Sequence, residues 1–121
     1  MKKTAAFFLT RKAALDLREI HRRSLQKWGA EVADRYLADL YEAMRQAAAK
    51  PDAGRLRRHR SAPFHMIPAR RHFIVYDLAP GGIAVLTVQH QSRDIESLIA
   101  GLTPSFLAEV ERIRRKSDSR P

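Results

Sequence analysis

The chain has 121 residues, 45% of them hydrophobic, no cysteine, and a formal net charge of +10 from 23 Lys and Arg against 13 Asp and Glu. That length fits one domain rather than two, the apolar fraction is too high for a wholly disordered chain, and the missing cysteine excludes disulfides, thiolate chemistry and Cys-based zinc sites. No stretch approaches the ~20 apolar residues of a membrane-spanning helix, and the composition fits the reducing cytoplasm.

Met1 to Leu9 opens like a secretory leader, with two lysines and then an apolar run. The run stops at Leu9, with Arg11 and Lys12 close behind, short of the roughly 7–15 apolar residues and small-residue cleavage site that a leader needs. Residues 4–9 therefore read as a first β-strand. Thr10 is an N-cap for a helix from Arg11 to about Lys27, on which Ala13, Leu17, Ile20, Ser24 and Trp28 share one stripe. Gly29 stops it, since glycine enters the left-handed conformation without steric cost. A second helix runs from about Ala30 to Lys50, with Val32, Ala33, Tyr36, Leu37, Leu40, Met44, Ala47 and Ala48 on its apolar face; Pro51 and Gly54 end it. So short a link predicts an antiparallel helix hairpin with both stripes turned to one core.

The periodicity then changes. Phe64 to Ile67, bounded by Pro63 and Pro68, reads as an edge or interrupted strand. His72 to Leu78 and Ile83 to His90 are stronger strands, and Ala79-Pro80-Gly81-Gly82 joins them into a β-hairpin. The expected fold is α+β: an N-terminal strand and an antiparallel helix hairpin packed on a three- to four-stranded, mainly antiparallel sheet, with a C-terminal helix. The two hairpin strands are apolar on both faces, unlike strands with one wet face, so a second layer must cover the face away from the helices. Asp94 as a cap, followed by Ile95, Leu98, Ile99 and Leu102, gives one short helix; Thr103-Pro104, followed by Phe106, Leu107, Val110 and Ile113, gives another. Residues 1–100 form the main domain, and 101–121 a helical extension.

Charge is unevenly placed. Lys50 to Tyr76 contains seven cations (Lys50, Arg55, Arg57, Arg58, Arg60, Arg70 and Arg71) and one anion, Asp52, so this span holds +6 of the total +10. Such a concentrated field favours an acidic macromolecular partner, whether nucleic acid or protein. The run Arg55 to Arg60 reads as a solvated loop that extends the patch of Arg70 and Arg71. No phosphate-cradling glycine loop, Gly-x-Ser-x-Gly elbow or His-Glu-x-x-His pair is present, and the five histidines match no metal-site spacing. His21 reads as a surface residue. His72 begins one strand and His90 ends the next, so antiparallel pairing brings them together, with Arg70, Arg71 and Arg93 nearby. That cluster can bind phosphate; with imidazole moving a proton and Arg holding developing charge, it could also assist 2′-hydroxyl attack on RNA. A cationic binding patch without chemistry is the simpler reading, because no clear acid and base pair stands out. Trp28 and Tyr36 read as core.

The order of elements and several motifs resemble the RelE/ParE superfamily of type II toxins, and ParE most closely. The residues that carry this are Leu9-Thr10-x-x-Ala13-x-x-Asp16-Leu17-x-x-Ile20, Gly29-x-x-x-Ala33-x-x-Tyr36-x-x-x-Leu40, Lys50-Pro51-x-x-Gly54-Arg55, Arg71-His72-Phe73-Ile74-Val75-Tyr76, and Ile83-x-Val85-Leu86-x-Val88-x-His90-Gln91-x-Arg93-Asp94. They span about residues 4–100. The resemblance implies a growth-inhibiting toxin acting on DNA gyrase, neutralised by a cognate acidic, ParD-like antitoxin through which any DNA contact is made. On this reading Arg57, Arg58, Arg60, Arg70, Arg71, His72, His90 and Arg93 contact target or antitoxin, with no catalytic residue, metal or cofactor. The alternative within the superfamily is a ribosome-dependent mRNA endonuclease using His72, His90 and Arg93; no Tyr follows Tyr76 to serve as the C-terminal catalytic Tyr of several such enzymes. A non-toxic co-repressor is a further alternative.

Overall fold

Thr10 both ends the first strand and starts the first helix. In the computed structural model, which describes residues 6–57 and 64–91, its side-chain oxygen accepts from the Ala13 N–H at 3.1 Å while its O–H donates to the Leu86 carbonyl at 2.9 Å. It thereby caps α1 (Arg11–Trp28) as the sequence predicts, an interaction that typically contributes about 1 kcal/mol. Gly29, at φ 88°, is the only residue between α1 and α2 (Ala30–Ala49) and serves as C-cap of one and N-cap of the other. A 3-10 turn (Pro51–Ala53) leads to the strands β2 (Arg55–Arg57), β3 (Phe64–Ala69), β4 (His72–Ala79) and β5 (Gly82–His90), which follow β1 (Ala6–Leu9) at the start.

The strands form one sheet in the order β1-β5-β4-β3-β2. β1 runs parallel to β5, and the remaining pairs are antiparallel. The α+β architecture is thus the expected one, with differences in the sheet. Arg55–Arg57, read from sequence as the start of a solvated loop, pairs with β3. That extra strand moves Phe64–Ala69 away from the edge. β3 also runs through Pro68, which is tolerated because β2 ends its pairing at Met66 and no neighbour on that side needs a donor there. The sequence-predicted helices after Asp94 and after Thr103-Pro104 lie outside the described residues.

Both helices pack on one face of the sheet. Ala13, Leu17, Leu40, Met44, Ala47 and Ala48 meet Ile74, Tyr76, Ile83, Val85 and Val88 in a single buried cluster. Leu40 and Met44 have no exposure, so truncating either to Ala would cost roughly 2–5 kcal/mol. The opposite face carries a second cluster, Phe64, Met66, Val75 and Leu86 with Phe73 packed beside it. This explains why both hairpin strands are apolar on alternate residues in both directions.

The β-hairpin is irregular at one point. Val75 pairs with Thr87 but Tyr76 pairs with Val85, so Leu86 is an extra residue in β5. Nearby, β1 reaches only as far as Val85, and α1 takes over as the neighbour of β5. The Asp16 carboxylate accepts from the Val88 N–H at 3.1 Å, from the Gln89 amide at 3.3 Å and from the Thr87 hydroxyl. Lys12 pairs with the same side chain at 3.3 Å. Asp16 therefore supplies the acceptor that a longer first strand would have provided.

A second polar anchor ties the end of α2 to the sheet. The Tyr76 hydroxyl donates to the Pro51 carbonyl at 2.7 Å and accepts from the Gly54 N–H at 3.1 Å. Burial raises the phenol pKa, which keeps it protonated as a donor. A Cβ at Gly54 would fall on this hydroxyl, so glycine is required there by close approach.

Candidate functional site

The chain turns from β3 to β4 through Arg70 and Arg71 alone, with Ala69 paired to His72. A turn this tight needs a positive φ, and Arg70 supplies it at 57°, an uncommon conformation for a residue with a Cβ. Its surroundings hold it there. The guanidinium lies 5.0 Å from the centroid of the Tyr36 ring and pairs through Nε with Asp39 at 3.0 Å. The Arg70 carbonyl accepts from the Gln91 side-chain amide at 3.1 Å, and the Arg71 carbonyl accepts from the Gln91 N–H at 2.9 Å.

Directly behind the turn, β4 and β5 bring His72 opposite His90, as the antiparallel pairing predicts. Their rings meet edge to face with centroids 5.3 Å apart. Tyr36, on α2, closes the arrangement from the helix side. Its oxygen accepts from the Arg71 N–H at 3.0 Å and lies 2.7 Å from Nδ1 of His72. Donation of the phenol O–H to Nδ1 uses the oxygen as both donor and acceptor and so satisfies every group of this bridge; it places the imidazole proton on Nε2. Burial, and then the neighbouring His90, push the His72 pKa down to about 4, with Asp16 opposing. His72 is thus a neutral imidazole at pH 7 with Nδ1 occupied and Nε2–H as its donor.

These groups form one end of an open groove of about 770 Å³ between the C-terminal half of α1, the start of α2 and the ends of β4 and β5. Trp28 and Val32 line it and are 50% and 39% exposed. Lys27 sits over the Trp28 ring at 5.0 Å. The lining cations are Arg23, Lys27, Arg70 and Arg71 against the anions Asp16 and Glu19, a formal excess of two (4 − 2). Several of these charges are engaged internally. Glu19 is bound by Arg22 and Arg23, which hold its carboxyl at about 2, and Arg70 is bound by Asp39. Arg71 makes no ion pair among the described residues.

The structure therefore brings together four of the residues singled out from sequence: Arg70, Arg71, His72 and His90. Arg57 falls in β2, two strands away from β4; Arg58, Arg60 and Arg93 lie outside the described residues, as does Asp94. One assignment is corrected. Trp28, placed in the core by its helical spacing, is half exposed in the groove at the last position of α1. Tyr36, also read as core, is partly buried but uses its hydroxyl to organise the turn. His21 is partly exposed and bonded to Asp34 at 2.8 Å, in keeping with a surface role. Sequence reading gave Asp16, Asp39 and Gln91 no role in organising this region; Asp16 and Gln91 stand within the motifs quoted above, but the partners of all three lie far away in sequence. As chemistry, the cluster offers an Nε2–H donor, an unpaired guanidinium and a second imidazole. That set suits binding of an anion. No group of three or more potential metal ligands occurs among the described residues, and no described helix is long and apolar enough to cross a membrane.

An α1–α2 hairpin on a mixed sheet, with a basic turn beside a groove, is the α+β architecture expected of the toxin superfamily that the sequence motifs resemble. Residues 7–95 match the family model for the ParE toxin of the type II toxin–antitoxin system parDE. Toxin ParE1 of Mycobacterium tuberculosis, in strains CDC 1551 / Oshkosh and ATCC 25618 / H37Rv, is 30% identical over 94 residues, covering 77% of this chain and 96% of the relative. Among solved structures, a chain of the chromosomal ParDE system from P. aeruginosa shares the fold, with a TM-score of 0.62 at 19% identity over 74% of this chain and 98% of that one. The chain belongs to the ParE toxin family of type II toxin–antitoxin systems.

Proposed function

We propose that this ParE-type toxin arrests growth by inhibiting DNA gyrase through protein contact in the cytoplasm, and that a cognate acidic antitoxin of ParD type neutralises it. The observation that carries this reading is the groove itself. An exposed tryptophan and valine lie beside a turn that carries the exposed Arg71, while the neighbouring imidazole of His72 is braced by Tyr36. An apolar floor with a basic rim suits the amphipathic, acidic segment of a protein partner that folds as it binds. The chromosomal P. aeruginosa relative comes from a ParDE pair, which supports an antitoxin as the natural occupant; DNA contact would then be made by the antitoxin. Contact residues on this reading are Arg71, His72 and His90 from the described groove together with Arg57, Arg58, Arg60 and Arg93, while Arg70 acts mainly to shape the turn. Residues 101–121, beyond the matched span of 7–95, form an extension of this chain.

The ribosome-dependent alternative draws no support from these matches, each of which is to a ParE protein or ParDE system. The direct test is an in vitro supercoiling assay in which purified toxin is titrated against gyrase and relaxed plasmid. Loss of supercoiling that is restored by the acidic partner supports the reading. Full gyrase activity at a large molar excess of folded toxin would overturn it.

A further inference from the structure

The groove also has the composition of a small-ligand site. We propose that its head binds a nucleotide, with the phosphate held by Arg71, His72 and His90 and the base resting against Trp28.

Three independent features support this. First, the donors are pre-arranged. The relay from the Arg71 N–H to the Tyr36 oxygen, and from the Tyr36 O–H to Nδ1 of His72, fixes the ring and leaves Nε2–H available. Gln91 holds the same turn: its side-chain amide donates to the carbonyls of Arg70 and His72 at 3.1 and 3.3 Å. Preorganised donors bind an anion without the cost of ordering them. Second, charge pairing singles out one guanidinium. Arg70 is bound to Asp39 and Arg23 to Glu19, whereas Arg71 has no ion pair among the described residues. Such a guanidinium is suited to two-pronged contact with phosphate oxygens. Third, the volume of about 770 Å³ lies within the ordinary range for small-molecule pockets, and a half-exposed indole lies on its wall. An exposed aromatic ring is a stacking platform that accepts any base. The lining also carries a formal positive excess, which raises the local concentration of anions. A nucleotide seated here would occupy the groove assigned above to the protein partner, so nucleotide level would tune how readily the toxin is held.

Trp28 is the only tryptophan of the chain, so intrinsic fluorescence reports on this wall alone. The experiment titrates the purified full chain with AMP, adenosine, inorganic phosphate and the dinucleotide ApA. AMP should change Trp28 emission saturably, and adenosine, lacking the charge-assisted bonds, should bind at least about tenfold more weakly. Inorganic phosphate should displace AMP. Arg71→Ala should weaken AMP binding about tenfold, while Arg45→Ala, an exposed α2 residue paired with Glu42, should leave it unchanged. Tighter binding of AMP than ApA assigns the site to free nucleotide, and the reverse assigns it to a nucleic-acid strand; either result supports a nucleotide site. The proposal is overturned if emission shows no saturation up to about 10 mM for AMP and ApA, or if Arg71→Ala binds like the wild-type chain. Gyrase inhibition is read separately, so neither result depends on the toxin's target.

Discussion

The hydroxyl of Tyr36 lies 2.7 Å from Nδ1 of His72 and 3.0 Å from the amide nitrogen of Arg71, so one side chain of α2 fixes both the basic turn and the imidazole behind it. Tyr36→Phe keeps the ring that supports Arg70 and removes only this bridge. It leaves a backbone donor and an imidazole nitrogen without their partner, which should lower stability by about 1–2 kcal/mol in urea unfolding. The His72 ring signals in NMR should shift and broaden as the ring loses its fixed tautomer. Unchanged stability together with unchanged His72 resonances would show that the bridge is not formed in solution.

His72 also sets a pH dependence. Its ordinary value of 6.5 is lowered to about 4 in the folded chain, first by burial and then by His90. Between these values the unfolded chain takes up a proton that the folded chain refuses, so folding becomes less favourable as pH falls. The contribution is fully present above about pH 6.5 and is lost progressively down to about pH 4. Denaturant midpoints measured across this window should fall toward acid more steeply for the wild-type chain than for His72→Gln. Equal slopes would remove His72 as the cause.

Gly54 and Tyr76 form a second testable pair. Gly54→Ala would drive a methyl group into the Tyr76 hydroxyl, and Tyr76→Phe would leave the Gly54 N–H and Pro51 carbonyl without their partner. Each should cost roughly 1–3 kcal/mol. Because both changes break the same anchor, the double variant should lose clearly less than the sum of the singles. Strict additivity in thermal or urea unfolding would contradict the shared anchor.

Asp16→Ala should be among the more damaging single changes on α1 despite removing a charged residue. It deprives the Val88 N–H of its acceptor just beyond the point where β1 stops, at a cost of about 1–3 kcal/mol. Hydrogen exchange at Val88 should quicken by more than at Ile74, its paired residue on β4. Comparable exchange at both positions would mean that α1 does not stand in for the missing strand.

The helices and the central hairpin were legible in the sequence because their signals are local. Thr10 and Gly29 punctuate α1, and the alternation from His72 to His90 fixes the strand pair and with it the meeting of the two histidines. What could not be read depends on contacts between distant positions. Trp28 continues the stripe begun by Ala13 and Leu17, yet it is half exposed where they are buried, so spacing alone misplaced it in the core. Tyr36 has the right spacing for the core and does sit partly within it, but its hydroxyl function rests on a turn 35 residues away. The same holds for Asp16 with β5 and Asp39 with Arg70. Arg55–Arg57 lacked any strand pattern of its own and is a strand because β3 offers it an edge. The basic patch was visible as a count of charges, whereas the pairing of Arg70 with Asp39 within it was not.

Growth arrest by a toxin that acts on gyrase must show first in DNA topology. The most direct measurement is brief induction of the toxin in growing bacteria, with plasmid supercoiling and amino-acid incorporation followed together over time. The account predicts that negative supercoiling falls before protein synthesis does, and that co-expression of the acidic partner prevents both. A prompt fall in protein synthesis with plasmid topology unchanged would contradict it.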